Sequence, residues 1–396
     1  MTDRRTRVPR RTLLTGGLAA VGGAAATAAA LWDRNPEPTP PTAPDTVEPF
    51  HGARQAGIAT RPQGHAVFVA FRLRDGVTAD RFAAVLRLLG DDAERLTGGV
   101  AALGDTEPEL APYTARLTVT FGFGYGMFDA LGVADRRPEG FRPLPAFETD
   151  RLDPAFSGGD LLIQVCADDP TTVAHTVRML TKDARSVMTV AWAQRGFRQT
   201  TPVIGEDATP RNVMGQLDGT TNPHPGEPGF EDVVWRRDGS SPGWSTLVVR
   251  RIRAEMETWD AVDPLSKEMV IGRRLDTGAP LTGEKESDEP DFDDVDGLGL
   301  SVIAPNAHIR RSRLDDGRRI FRRVYNYDDT RAADGTADMG LIFASYQADI
   351  STFVDIQRRL DEADMLNRWV TPVGSAEFAI PPGCEAGGWI GETVFT

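Results

Sequence analysis

Residues 160–194, DLLIQVCADDPTTVAHTVRMLTKDARSVMTVAWAQ, decide the fold class of this 396-residue chain. Asp160 to Cys166 reads as a strand, Pro170 to Lys182 as a helix with Asp169 or Thr171 near its cap, and Ser186 to Gln194 as a strand with alternating apolar positions. Working outward, Ala66 to Leu73 (AVFVAFRL) is a buried strand, Ala79 to Leu96 an amphipathic helix, and Arg116 to Phe121 a strand rich in Thr and Val. Two β-α-β runs in succession imply a ferredoxin-like unit on an antiparallel sheet. The pattern returns later, with strands at Ser245 to Ile252 (STLVVRRI) and Met339 to Tyr346 (MGLIFASY), a helix opening over Ala254 to Asp260, and a helix over Ser351 to Leu366. The expected class is therefore α+β: two ferredoxin-like domains with antiparallel sheets and peripheral helices, over residues 50–210 and 211–396. Long Gly-, Pro- and Asp-rich connections interrupt the second unit, above all Leu275 to Asp296, and loops of that length are more often functional than idle.

With 40% hydrophobic and 26% charged residues the chain is globular, neither disordered nor fibrous. Its formal charge of −14 repels phosphate backbones, so nucleic acid and anionic membranes are poor partners. Cys166 and Cys384 are too few for a disulfide framework or a four-thiolate zinc site, although one disulfide between them stays open. Residues 1–30 read as an export signal. Arg4, Arg5, Arg7, Arg10 and Arg11 form a basic head, Thr12 to Ala30 is uncharged, and Ala28 and Ala30 give an Ala-x-Ala ending. Arg10-Arg11 ahead of Thr12-Leu13-Leu14 matches the twin-arginine signature, with an uncleaved membrane anchor as the competing reading. A Pro- and Thr-rich linker follows over residues 31–49.

The richest connection, Arg211 to Gly226, reads RNVMGQLDGTTNPHPG. Gly215, Asp218 and Gly219 form a G-x-x-D-G core that lets backbone approach a flat ligand while presenting one carboxylate. Alone it is a weak signal, since Asp-Gly is also a common turn dipeptide. Further on, APNAHIRRS places His308 between a Pro-Asn turn and a basic run, and FRRVYNYDD carries Arg322 and Arg323.

These segments resemble the dye-decolourising peroxidases, in particular the exported bacterial branch that includes iron-uptake haem peroxidases. PFHGARQAGI (49–58), GGDLLIQVCAD (158–168), NVMGQLDGTTNP (212–223), NAHIR (306–310) and ADMGLIFASYQAD (337–349), followed by TPVG (371–374), fit that family in order and spacing. The resemblance implies one haem b per chain, held mainly by the C-terminal domain, and reduction of hydrogen peroxide through a ferryl intermediate with oxidation of organic dyes, phenols or metal ions. His308 matches the proximal iron ligand, an imidazole able to bind metal through one nitrogen and donate from the other. His224 is its rival, while His51, His65 and His175 lack comparable context. Asp218 and Arg322 match the distal pair: the carboxylate as proton shuttle, the guanidinium as stabiliser of charge developing at the O–O bond. Arg323, next in sequence, leaves the register between the two arginines open. An aspartate with an unperturbed pKa near ~3.9 implies an acidic pH optimum.

Further contacts follow from the same likeness. Gly219, Thr220 and Thr221 are expected at the haem edge, Arg310 or Arg313 at a propionate, and Phe343 on the haem face; Asn326 is expected near the distal pocket without a role. Tyr346, Tyr325, Tyr327 and Trp389 are candidates for relaying electrons from bulky reductants at the surface. The eight carboxylates of Glu284 to Asp296 read as a solvated charge run before a cation site. The Arg10-Arg11 signal in turn implies the twin-arginine export machinery as a partner and a periplasmic, extracellular or cell-envelope location, and a homo-oligomer stays open. A second reading keeps the site but makes the protein a haem-handling component of iron acquisition, releasing iron from haem or oxidising ferrous iron for a partner permease. A third is a scaffold that has kept the fold without haem.

Overall fold

The computed structural model describes residues 47–396 apart from 206–207, 238 and 332–334. The export signal and nearly all of the linker lie outside the described residues. Among those described, no helix is long and apolar enough to cross a membrane.

The first half runs β1 (His65–Leu73), α1 (Ala79–Thr97), β2 (Thr118–Gly124), β3 (Leu161–Ala167), α2 (Pro170–Ala184) and β4 (Met188–Phe197). Its strands lie in the order β2-β3-β1-β4, all antiparallel, the ferredoxin-like arrangement. Capping fixes where the helices begin. Thr78 accepts from Arg81 N ahead of α1, and Asp169, rather than Thr171, accepts from Thr172 N at 2.7 Å ahead of α2, with Pro170 in the first turn.

The second half runs β5 (Ser245–Ala254), the two-residue β6 (Phe321–Arg322), β7 (Tyr325–Arg331), β8 (Ala337–Gln347), α3 (Ile350–Ala363) and β9 (Val370–Ile380). Strand order β9-β5-β8-β7 repeats the first unit. Three expectations for this half need correction. Ala254 does not open a helix: it ends β5 opposite Val370, and the helix starts at Met256. The helix expected to reach Leu366 stops at Ala363, because Asp364 is extended (φ −70°, ψ 122°). The third concerns β7 and β9, which had no expected counterpart. In β9, Pro372 and Gly374 mask the strand. The register jumps there, from Arg251↔Gly374 to Ile252↔Pro372, so Val373 forms a bulge.

The two sheets join edge to edge. Phe123 and Gly124 of β2 pair with Ala379 and Phe378 of β9, and Phe197 of β4 pairs with Asn326 of β7, closing a ring of eight strands. Every residue of β3 is buried because both its faces are covered. Leu161, Ile163 and Val165 face α1 and α2, while Leu162 and Cys166 face the interior shared with Trp192, Leu247, Tyr325, Tyr346 and Phe378. On the far face of the second sheet, α3 packs Ile350, Phe353 and Val354 against Val248. A cavity opens beside that contact.

Cys166 lies in the ring interior and Cys384 in the α1–α2 core, both as free thiols, so the disulfide left open by the sequence does not form.

Candidate active site

The cavity has a volume of about 580 Å³, within the usual range for a site enclosing a whole small ligand. Ile252, Leu341, Phe343, Phe353 and Leu366 give it apolar walls, from β5, β8, α3 and the segment after α3. Polar residues enter from three connections, and these carry most of the residues singled out by sequence.

The first connection holds Asp218. Asn212 Oδ1 accepts from Met214 N and Gln216 N at 3.0 and 3.2 Å, and Gly215 adopts φ 85°, a conformation that favours glycine. That tight turn returns the chain so that Asp218 N donates to Pro210 O at 2.9 Å, leaving the carboxylate on the cavity wall. Gly219, Thr220 and Thr221 line the cavity as expected. Thr220 Oγ donates to Glu286 at 2.8 Å, which ties this loop to the acidic segment.

The second is β6. Arg322 Nη1 donates to Asp218 Oδ1 at 2.8 Å in a half-buried ion pair at the cavity. Arg323 points the opposite way, into the ring, where it is fully buried and donates to Thr60 O, Ile58 O and Gln63 Oε1. Of the two arginines between which the sequence left the register open, it is Arg322 that faces Asp218.

The third is the short helix His308–Arg311, which presents His308 to the cavity. Its Nδ1 lies 2.6 Å from Asp364 Oδ2, so Nε2 is the nitrogen left for a metal. Burial disfavours the imidazolium, but the Asp364 carboxylate outweighs it, and the pKa of the ring lies above its ordinary value. The other Asp364 oxygen accepts from Leu366 N at 2.9 Å, holding the carboxylate in place where α3 breaks. Sequence reasoning missed Asp364, which looked like one more residue of a helix.

Other expected contacts divide. Phe343 and Arg313 line the cavity, and Arg313 pairs with Glu289 at 2.8 Å. Arg310 does not line it: its guanidinium is committed to Phe292 O at 2.7 Å and stacks on the Phe292 ring. Arg273, unforeseen, does line it and anchors the acidic segment through Glu286 O at 3.0 Å; burial and then the neighbouring Arg313 depress its pKa. Glu286 to Glu289 form one wall, so this part of the acidic run is structural, and no cation-binding cluster occurs among the described residues. Asn326 bonds Val213 N at 2.9 Å through Oδ1, bracing the Asp218 loop. His224 sits at the cavity rim, whereas His51 pairs with Glu94 and His175 with Asp105. Tyr346, Tyr325, Tyr327 and Trp389 are all buried, the tyrosines completely, and so cannot be surface relay sites.

One imidazole backed by a carboxylate, apolar walls and a cationic corner at Arg273 and Arg313 do not suit a bare ion, which would need several ligating side chains. They do suit a flat, apolar iron porphyrin with acidic edge groups. Comparison with known proteins agrees. Residues 55–198 match the family Dyp-type peroxidase, N-terminal, and residues 209–385 match Dyp-type peroxidase, C-terminal. The chain is 41% identical over 327 residues to the dye-decolorizing peroxidase of Thermobifida fusca, covering 79% of this chain and 75% of that one. It is 33% identical over 402 residues to the deferrochelatase of Escherichia coli K12, covering 95% and 94%. Among solved structures, a DyP-type peroxidase from Cellulomonas bogoriensis superposes with a TM-score of 0.85 at 46% identity, covering 89% of this chain and 98% of that one. Ferric DtpA from Streptomyces lividans gives 0.84 at 39%, covering 88% and 98%. With both halves matched, the chain belongs to the Dyp-type peroxidase family, haem enzymes that take hydrogen peroxide and a reductant as substrates.

Proposed function

We propose that Asp218, Arg322 and His308 carry the peroxide chemistry, with Asp364 setting the histidine. The supporting observation is the meeting, on one apolar cavity, of an imidazole–carboxylate couple and a carboxylate–guanidinium couple drawn from separate connections. Haem held in the cavity would supply the electrons for cleavage of the peroxide O–O bond. Asp218 would take a proton from one peroxide oxygen and return it to the oxygen that leaves as water. Arg322 would stabilise the negative charge that develops on the departing oxygen. His308 would hold the iron through Nε2, with the hydrogen bond to Asp364 fixing its tautomer and strengthening it as a ligand. Gly219, Thr220, Thr221 and Phe343 would hold the porphyrin by packing against it, and Arg313 with Arg273 would pair with its carboxylates.

The reductants are organic dyes, phenols or metal ions, and the chain is exported by the twin-arginine pathway to the periplasm, the extracellular space or the cell envelope. His308→Ala should abolish the Soret band of the purified protein; full haem occupancy with an unchanged spectrum overturns the ligand assignment. Product analysis after peroxide addition separates peroxidase turnover from iron release. Oxidised donor with the haem intact supports the first, and accumulating metal-free porphyrin supports the second.

A further inference from the structure

The Asp218 loop and the strand bearing Arg322 are fastened together by a side chain that none of these roles uses. Asn222 Oδ1 accepts from Arg322 N at 2.7 Å, and Asn222 Nδ2 donates to Arg322 O at 2.8 Å. One amide thus satisfies both backbone groups of a single residue, as an adjoining strand would. The need for it follows from the ladder. Arg322 sits opposite Ser345 of β8, yet it is Arg323 N that donates to β8, at Ala344 O, so the polar backbone groups of Arg322 face away from the sheet. Left there without partners, they would be unsatisfied edge groups beside the cavity.

Asn222 is itself fixed from the other side, since its N–H donates to Gly219 O at 2.8 Å. The turn that begins just after Asp218 therefore ends on the residue that holds Arg322. Asp218 and Asn222 grip the same arginine at two points, the head at 2.8 Å and the backbone from which the side chain extends. An arginine side chain loses much rotamer freedom when its head is placed, and a fixed root narrows the conformers that must be lost.

We propose that Asn222 is a positioning residue of the distal pair, setting the reach of the Arg322 guanidinium by clamping its backbone to the Asp218 loop. This rests on the reading of Arg322 as the group that stabilises charge over the iron, and Asn222 acts through that group.

The test uses haem-loaded protein with fluoride as the probe, an anion that binds ferric haem and accepts a hydrogen bond from a guanidinium above it. Arg322→Leu should weaken fluoride binding, and Asn222→Ala should weaken it about tenfold, the scale of one charge-assisted hydrogen bond. In the Asn222→Ala/Arg322→Leu double variant the losses should not add, because both act on one guanidinium. Asn222→Asp, which keeps the acceptor for Arg322 N, should fall between wild type and Asn222→Ala, and it serves as the reporter if the alanine variant fails to fold. Wild-type fluoride affinity in Asn222→Ala, or in Asn222→Asp where the alanine variant is lost, overturns the proposal, as do fully additive losses. Unchanged fluoride affinity in Arg322→Leu itself overturns the distal assignment beneath it, and that result is distinct because it does not involve Asn222.

Discussion

Arg322 and Arg323 are adjacent and carry the same charge, but alternation along an extended backbone sends them to opposite faces. Arg323→Leu would leave Thr60 O, Ile58 O and Gln63 without their donor inside a closed ring. Each buried acceptor left unsatisfied costs about 1–3 kcal/mol, which chemical denaturation should register as a large fall in midpoint. Arg322→Leu should cost far less stability and instead slow the reaction with peroxide, read by stopped-flow; the reverse pattern would mean the two faces are exchanged. Asp364→Asn keeps the size of the partner but removes the charge that strengthens His308. It should lower haem affinity or peroxide turnover about 10–100-fold and move the iron reduction potential upward, measurable by haem titration and spectroelectrochemistry. No change in any of these would show the contact to be incidental. Of these residues, His308, Asp218 and the arginine pair stood out in the sequence by motif, whereas Asp364 did not. Its significance comes from a break in α3 that lifts one carboxylate toward a histidine 56 positions away.

Helices α1 and α2 pack across the outer face of the first sheet, and between them lies a carboxyl pair. Asp92 is buried and uses Oδ1 to accept from Leu103 N at 2.7 Å, while its Oδ2 and that of Asp183 lack other partners. Burial, then the hydrogen bond and charge of Asp92, push Asp183 up to about 7, against the opposing pull of Lys182 and Arg185. The native pair thus holds a proton that an unfolded aspartate, with its pKa near 3.8, would release. Stability from this source is greatest in acid, falls as pH rises from about 4 to about 7, and stays at its lower value above. Asp183→Asn, which can donate to Asp92 at any pH, should therefore raise the melting temperature at pH 8 and lose most of that advantage at pH 5. A gap that is the same at both pH values would refute the shared proton. At this scale the strands β1, β3, β5 and β8 were legible because they are apolar runs. β7 (YNYDDTR) was not, because it is short and polar and pairs mostly with one neighbour, and β9 was hidden by Pro372 and Gly374 at its bulge.

Across the whole molecule, the two ferredoxin-like units do not fold back as separate bodies. β2–β9 and β4–β7 pairing merges their sheets, and residues from both halves share one interior core. Neither unit can expose that core without the other, so the haem-free protein should unfold in a single cooperative transition, with calorimetric and van't Hoff enthalpies equal. Two resolved transitions would contradict the shared core. Taken by itself, the sequence determined the repeated β-α-β order, the globular acidic character and the segments bearing His308, Asp218 and the arginine pair. Those features are local, carried by periodicity, composition and short motifs. Tertiary structure alone decided which arginine meets Asp218, which carboxylate backs His308, that Arg310 is turned away from the cavity and that the four relay candidates are buried. Each of these depends on how segments distant in sequence pack together, which assigns an inside and an outside to residues that are chemically alike along the chain.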